Sequence, residues 1–232
     1  MKYILFIALS IGIVACQGNT QNKVELKTQK DSVSYSIGMS IGQNLKTQSI
    51  EVEPSIVAQG IKDIIDSSSK KMMTDEEAQA CMMDFQKRMM SKQEETMKAQ
   101  GEKNKTEGAA FLEENKKKAG VQITESGLQY KVEKMGTGKK PAATDTVTVH
   151  YRGTLLNGTE FDSSIKRGEP TTFPLNQVIK GWTEGVGLMP VGSKFTFYIP
   201  SELAYGERGA GNLIGPNSTL IFEVELISAK GK

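Results

Sequence analysis

Residue 120 divides this chain into two parts that obey different folding rules. Before Gly120 apolar residues recur every two to four positions, as on one face of a helix; after it they alternate with polar ones, as on one face of a strand. Val147, Val149 and Tyr151 alternate with Thr146, Thr148 and His150, and the run ends at Asn157-Gly158, a strong hairpin signal. Phe195, Phe197 and Ile199 alternate likewise, as do Leu220, Phe222, Val224 and Leu226. Between these runs, Val178, Trp182 and Val186 fall on one face of a short helix spanning 178–188. An antiparallel sheet packed on one helix satisfies both periods, so residues 120–232 read as an α+β domain beside an all-helical region, 31–119. Phe195, Phe197 and Val224 are assigned to its core.

The helical region has three segments. Tyr35, Ile37, Ile41 and Leu45 mark the first, and Pro54, suited to a first helical turn, opens the second with Ile56, Val57, Ile61, Ile64 and Ile65. Thr74-Asp75-Glu76-Glu77 has capping-box spacing and starts a third that runs to about Lys118. Some 40 helical residues extend roughly 60 Å, more than a small domain can surround. The stretch 91–107 is mostly Lys, Glu, Gln and Asn and is expected to be a solvated spacer, or a frayed linker, with Gly101 and Gly108 marking a bend. Met72, Met73, Met82, Met83, Met89, Met90 and Met97 supply adaptable apolar surface that three helices can hardly bury alone. A homodimer through residues 31–90, with a soft surface for client chains, is the expectation; core filling within one chain is the alternative. Cys81, among Ala80, Met82, Met83 and Phe85, is expected to be a buried thiol.

At the N-terminus, Lys2 precedes an apolar run, Ile4 to Val14, about half the roughly 20 residues a membrane span requires. It reads as a signal peptide, 1–15. Ile13-Val14-Ala15-Cys16 resembles a bacterial lipobox, which makes Cys16 the lipidation site and membrane anchor and the polar stretch to residue 30 a tether. An ordinary secretory signal is the alternative. Gln17, in place of an aspartate, favours the outer membrane facing the periplasm, with surface exposure the other outcome.

The chemistry is bounded by what is missing. His150 is the single histidine, and Cys81 is the single cysteine left after Cys16, so metal centres and Cys-His nucleophiles are not expected and no cofactor is implied. Neither glycine-rich run, Gly206 to Gly211 or Gly136 to Lys139, continues into a phosphate-binding loop. Glu160 and Asp162 are expected on opposite faces, not as a hydrolase pair. With 29 basic and 27 acidic residues there is no broad field for nucleic acid. What the last third does hold is rings and branched side chains, which read as the lining of an apolar pocket or simply as core. Such a pocket suits chemistry that needs an environment more than a reagent.

Five blocks, Val147 to Gly153, Phe161 to Ser164, Val178 to Trp182, Ala204 to Gly206 and Leu220 to Leu226, stand in the order of the FKBP-type peptidyl-prolyl isomerase domain, which the chain resembles from about Gly120 to Ile227. Tyr35 to Gly38, the long helix, Asn104, Gly108, Phe111-Leu112 and Ser126 to Tyr130 resemble the N-terminal region of its macrophage infectivity potentiator subgroup. The resemblance implies a half-barrel around a short helix, and acceleration of X-Pro rotation in exported, partly folded polypeptides with a folding-chaperone role. A mainly non-catalytic holdase or a surface binding lipoprotein is the alternative. It implies a proline pocket of Tyr151, Phe161, Asp162, Val178, Ile179, Trp182, Tyr205, Ile214 and Phe222 with Trp182 as floor. Phe173, Thr171 and Ala210 form the rim; the last two depart from the commonest family pattern. Tacrolimus-like macrolides are implied as further ligands.

Overall fold

The computed structural model describes residues 25–231 except 67 and 69. The signal segment, Cys16 and the tether as far as residue 24 lie outside them. The described chain forms two compact units, one ending at Asp75 and one beginning at Glu76. None of its helices is long and apolar enough to cross a membrane.

The first unit carries α1 (Gln29–Thr47) and α2 (Pro54–Ile65). Thr28 starts α1 through a capping box: its hydroxyl accepts from the Asp31 N–H, and the Asp31 carboxylate accepts from the Thr28 N–H. Pro54 takes the first turn of α2, as expected. Val33, Ile37 and Ile41, four residues apart, line an exposed groove along α1, and Ile56, Ile64 and Ile65 are exposed on α2.

All but the first residue of α3 (Asp75–Asn115), one continuous 41-residue helix, belongs to the second unit. Two expectations for it are corrected. Cys81 is exposed in the single chain, because the apolar residues around it, Met82 and Met83 included, face outward too. The polar stretch is not a solvated spacer throughout: the helix runs unbroken through Gly101 and Gly108, which are buried points of close approach. A Cβ on Gly101 would stand 3.1 Å from the Pro216 Cβ, and one on Gly108 would overlap the Thr219 hydroxyl. Side chains near the end of α3 fasten it to the sheet as well. Buried Asn115 donates to Gln129 Oε1 at 3.0 Å, Gln129 Nε2 donates to the Leu112 carbonyl at 2.8 Å, and the Phe111 ring lies 5.8 Å from that of Tyr198.

The change of period at Gly120 marks the change from helix to strand. Then come β1 (Val121–Ile123), β2 (Gln129–Lys134), β3 (Thr146–Leu155), β4 (Glu160–Ser163), the single turn α4 (Ser164–Arg167), β5 (Thr171–Pro174), α5 (Lys180–Gly187), β6 (Lys194–Ile199) and β7 (Leu220–Lys230). The sheet is antiparallel in the order β1-β2-β6-β7-β3-β4, and β5 pairs with the first half of β3. The turn after β3 uses Asn157-Gly158 as predicted, with Gly158 at φ 83° and Asn157 Oδ1 accepting from the Thr159 N–H.

Alternation puts Val147, Val149 and Tyr151 of β3, Phe195, Phe197 and Ile199 of β6, and Leu220, Phe222, Val224 and Leu226 of β7 on the buried face. Phe195, Phe197 and Val224 belong to the core, as expected. Helix α5 covers that face. Gly185 allows it to approach closely, since a Cβ there would be 2.6 Å from Phe197 Cε1. In a regular strand Glu160 and Asp162 would share a face. A register shift between Gly153 and Thr154 separates them, so that Glu160 pairs with Arg152 while Asp162 reaches Tyr151.

Candidate functional site

The cavity on the covered face of the sheet has a volume of about 690 Å³. Its floor is Trp182, held in α5 and 4% exposed. Tyr151 from β3 and Phe222 from β7 meet the indole edge-on, with ring centroids 5.2 and 5.1 Å away at interplanar angles of 90° and 85°. Phe173 from β5 lies 5.4 Å from it. Phe161 from β4 packs perpendicular to Phe222 at 5.4 Å. Such edge-to-face pairs add about 0.5–1.5 kcal/mol each to their burial and fix the rings in place. Gly153 makes this junction possible: a Cβ on it would lie 2.6 Å from Phe161 and 2.8 Å from Phe222.

The twelve pocket and rim positions read from the sequence all border this one cavity. Val178 and Ile179 come from the bend that leads into α5, Thr171 from the start of β5, and Tyr205, Ala210 and Ile214 from the segment between β6 and β7. Ala210 and Ile214 exchange backbone hydrogen bonds of 2.8 and 3.2 Å, closing a short loop over one wall. Gln177, Gly211, Asn212 and Leu213 also line the cavity and were not expected to. Their polar, glycine-containing sequence gave only the signal of a loop.

One charged side chain enters the lining, and it is neutralised. Tyr151 Oη donates to Asp162 Oδ2, Arg167 Nη1 donates to Asp162 Oδ1, and Arg167 Nη2 reaches Tyr151 Oη at 3.0 Å and Thr171 Oγ1 at 3.1 Å. Burial alone would raise the Asp162 pKa, but the hydrogen bonds from Tyr151 and Arg167 and the guanidinium charge outweigh it and hold it below 3.8. The Tyr151 phenol is pushed above its usual value by burial and by its bond to the Asp162 carboxylate. Burial, then the Asp162 charge, does the same to Tyr205. Both tyrosines therefore stay protonated donors at neutral pH. Arg167 was not read from the sequence as a site residue; a basic residue five positions after a half-buried carboxylate was the available signal. His150 lies outside the lining, its Nδ1 3.1 Å from the buried Ser164 hydroxyl.

The lining contains no serine, cysteine, histidine or lysine. It can strip water from an apolar group and offer the Tyr205 hydroxyl and the Ile179 main-chain N–H at its edge. A family profile described as FKBP-type peptidyl-prolyl cis-trans isomerase matches residues 137–227, and one described as the domain amino terminal to it matches 30–132. The outer membrane protein MIP of Legionella longbeachae is 45% identical over 98% of this chain and 95% of its own.

The chain belongs to the FKBP-type peptidyl-prolyl cis-trans isomerases.

Another relative, the peptidyl-prolyl cis-trans isomerase Mip of Coxiella burnetii, is 42% identical over the full length of both chains. The crystal structure of FkpA from Escherichia coli superposes with a TM-score of 0.72 at 37% identity, covering 89% of this chain and 99% of that one. The FKBP assignment accounts for a lining without serine, cysteine, histidine or lysine, because rotation about an X-Pro amide makes and breaks no covalent bond.

Proposed function

We propose that the cavity over Trp182 is the proline site of this isomerase, and that it acts on X-Pro bonds of exported, partly folded chains. The observation that carries the proposal is a floor of perpendicular aromatic rings with one neutralised charge at its edge. A planar X-Pro amide is held by resonance with a barrier of about 18–20 kcal/mol. Twisting it destroys the charge-separated resonance form, so the twisted amide is less dipolar than the planar one. An apolar cavity therefore favours the transition state over the ground state.

Trp182 and Phe222 would receive the prolyl ring, with Phe161, Val178 and Ile214 as walls. Ile179 immediately precedes α5, and its N–H has no backbone acceptor among the described residues. It and the Tyr205 hydroxyl would hold the substrate carbonyls on either side of the rotating bond. Asp162, fixed by Arg167, would keep the Tyr151 ring square to the floor. The same cavity would admit tacrolimus-like macrolides, with Thr171 and Ala210 setting the fit at the rim.

The exposed apolar faces of α1 and α2 support a homodimer through residues 31–90, because contiguous apolar surface of this kind marks an interaction site. A lipid on Cys16 would attach that dimer to the cell envelope, in keeping with the name of the Legionella longbeachae relative. A chaperone role follows if the helical surface also receives unfolded clients. A protease-coupled assay on a cis-Pro tetrapeptide tests the enzyme site. Wild type should accelerate isomerisation, and a Phe161→Ala/Trp182→Ala double variant should lose at least about a hundredfold in kcat/KM, two rings of the cavity lining being removed. Equal rates would leave the holdase and surface-binding readings.

A further inference from the structure

We propose that Asn104 of α3 is a positioning residue for the proline pocket, acting through the loop that forms one of its walls; this rests on the reading of that pocket as the proline site. Residues 210–214 of the loop line the cavity, and residues 215–219 carry the chain from it into β7. The second stretch is the part that α3 grips. The Asn104 amide donates to the Pro216 carbonyl at 2.7 Å and to Ser218 Oγ at 3.2 Å, and Ser218 Oγ donates onward to the Gly215 carbonyl at 2.8 Å. Gln100 Nε2, donating to Asn104 Oδ1 at 2.7 Å one turn earlier, orients that amide so that its N–H groups face the loop. Asn217 Nδ2 returns a contact of 3.4 Å to the Gly101 carbonyl.

Ile214 is buried in the core and Pro216 packs against Gly101, but the loop has few other polar contacts to fix its shape. Asn217 is held at φ 54° and Gly209 and Gly211 at 64° and 56°, conformations that do not propagate into regular structure. Ala210 and Ile214 bond to each other, which closes the loop on itself without anchoring it. The Asn217 N–H to Gly206 carbonyl bond, 2.8 Å, ties the loop to the segment bearing Tyr205. Together these contacts make α3 and the Tyr205 segment the polar supports of the wall that carries Ile214, beside the core in which Ile214 is buried. The hydrogen bonds of the Asn104 amide N–H groups go to Pro216 and Ser218, beyond the lining residues 210–214. The effect of Asn104 must pass through the position of Ala210 to Ile214.

Because that wall meets the prolyl group both before and during rotation, loosening it weakens binding of ground and transition states alike. Asn104→Ala in the full chain should raise KM for a cis-Pro tetrapeptide about three- to tenfold with kcat nearly unchanged, as expected for one lost hydrogen-bond anchor. Asn104→Asp, which sets a carboxylate against the Pro216 carbonyl, should be no better. Titration of the same peptide against Trp182 emission should show the same weakening, a readout that mere loss of folded protein would not move. If Asn104→Ala does not fold, Gln100→Ala, which removes only the amide's orienting partner, carries the test with a smaller rise. Wild-type KM and wild-type Trp182 titration in a folded Asn104→Ala or Gln100→Ala variant would overturn the proposal. If the Phe161→Ala/Trp182→Ala protein stays inactive alongside that result, the proline-site reading stands and only the role of α3 falls.

Discussion

Replacing Tyr151 by phenylalanine tests the triangle of Tyr151, Asp162 and Arg167, because it removes one oxygen and leaves the ring. That oxygen donates to Asp162 and accepts from Arg167 Nη2 at 3.0 Å. A hydrogen bond to a charged group contributes about 1.5–3 kcal/mol where water is excluded. The Asp162 and Arg167 side chains are each 43% exposed, so water can take the vacated sites and the ion pair between them persists. The net cost should therefore be about 1 kcal/mol at pH 7. The sign of the pH dependence is fixed by the lowered Asp162 pKa. A carboxylate held below its unfolded value of 3.8 contributes stability that is fully present above that value and is lost as pH falls through the folded one. Tyr151→Phe removes part of that depression, so the gap between variant and wild type should be widest near neutrality and narrow in acid. Urea unfolding followed by Trp182 emission measures it, since the chain has a single tryptophan, with both proteins at one concentration. A gap independent of pH would show that the phenol does not stabilise the Asp162 anion.

Gly185→Ala should cost about 1–3 kcal/mol by overpacking α5 against Phe197, read as a lower Tm, with KM for the tetrapeptide unchanged below the melt. Ile37→Glu should convert the proposed dimer to monomer in sedimentation velocity without altering peptide turnover; an unchanged mass would move the seam off α1. Cys81, exposed in the single chain, lies within the proposed seam, so a thiol reagent should label it faster in Ile37→Glu than in wild type, and equal rates would place it outside.

Alternation in the sequence was enough to place β3, β6 and β7 and to choose their buried faces, because a strand with one covered face repeats every second residue. It did not say that Tyr151, Phe161, Trp182 and Phe222 would meet. That came from the order of the motif blocks, since rings from four elements converge only through register and crossovers that local spacing does not carry. Arg167 stayed hidden for the same reason: its guanidinium returns over Asp162 only because α4 ends after one turn at Gly168, at φ 81°. Gly101 and Gly108 were ambiguous in sequence, where a glycine in a helix signals equally a weak point or a tight contact. Cys81 was misjudged because periodicity shows that a face needs cover, not whether the same chain supplies it.

The sheet also bears on how this protein survives its own substrates. Its long strands, β3 with ten residues and β7 with eleven, run inside the sheet, while one border is the three-residue β1 and the other side of β3 is capped by β4 and β5, four residues each and separated by a helical turn. An unpaired strand long enough to template another chain would be a hazard in any protein. It would be a greater one in an isomerase whose substrates are proline-containing chains. By leaving only stubs at its borders, the domain would take hold of a chain at the proposed proline site without offering it a backbone to pair with, and so would let it go.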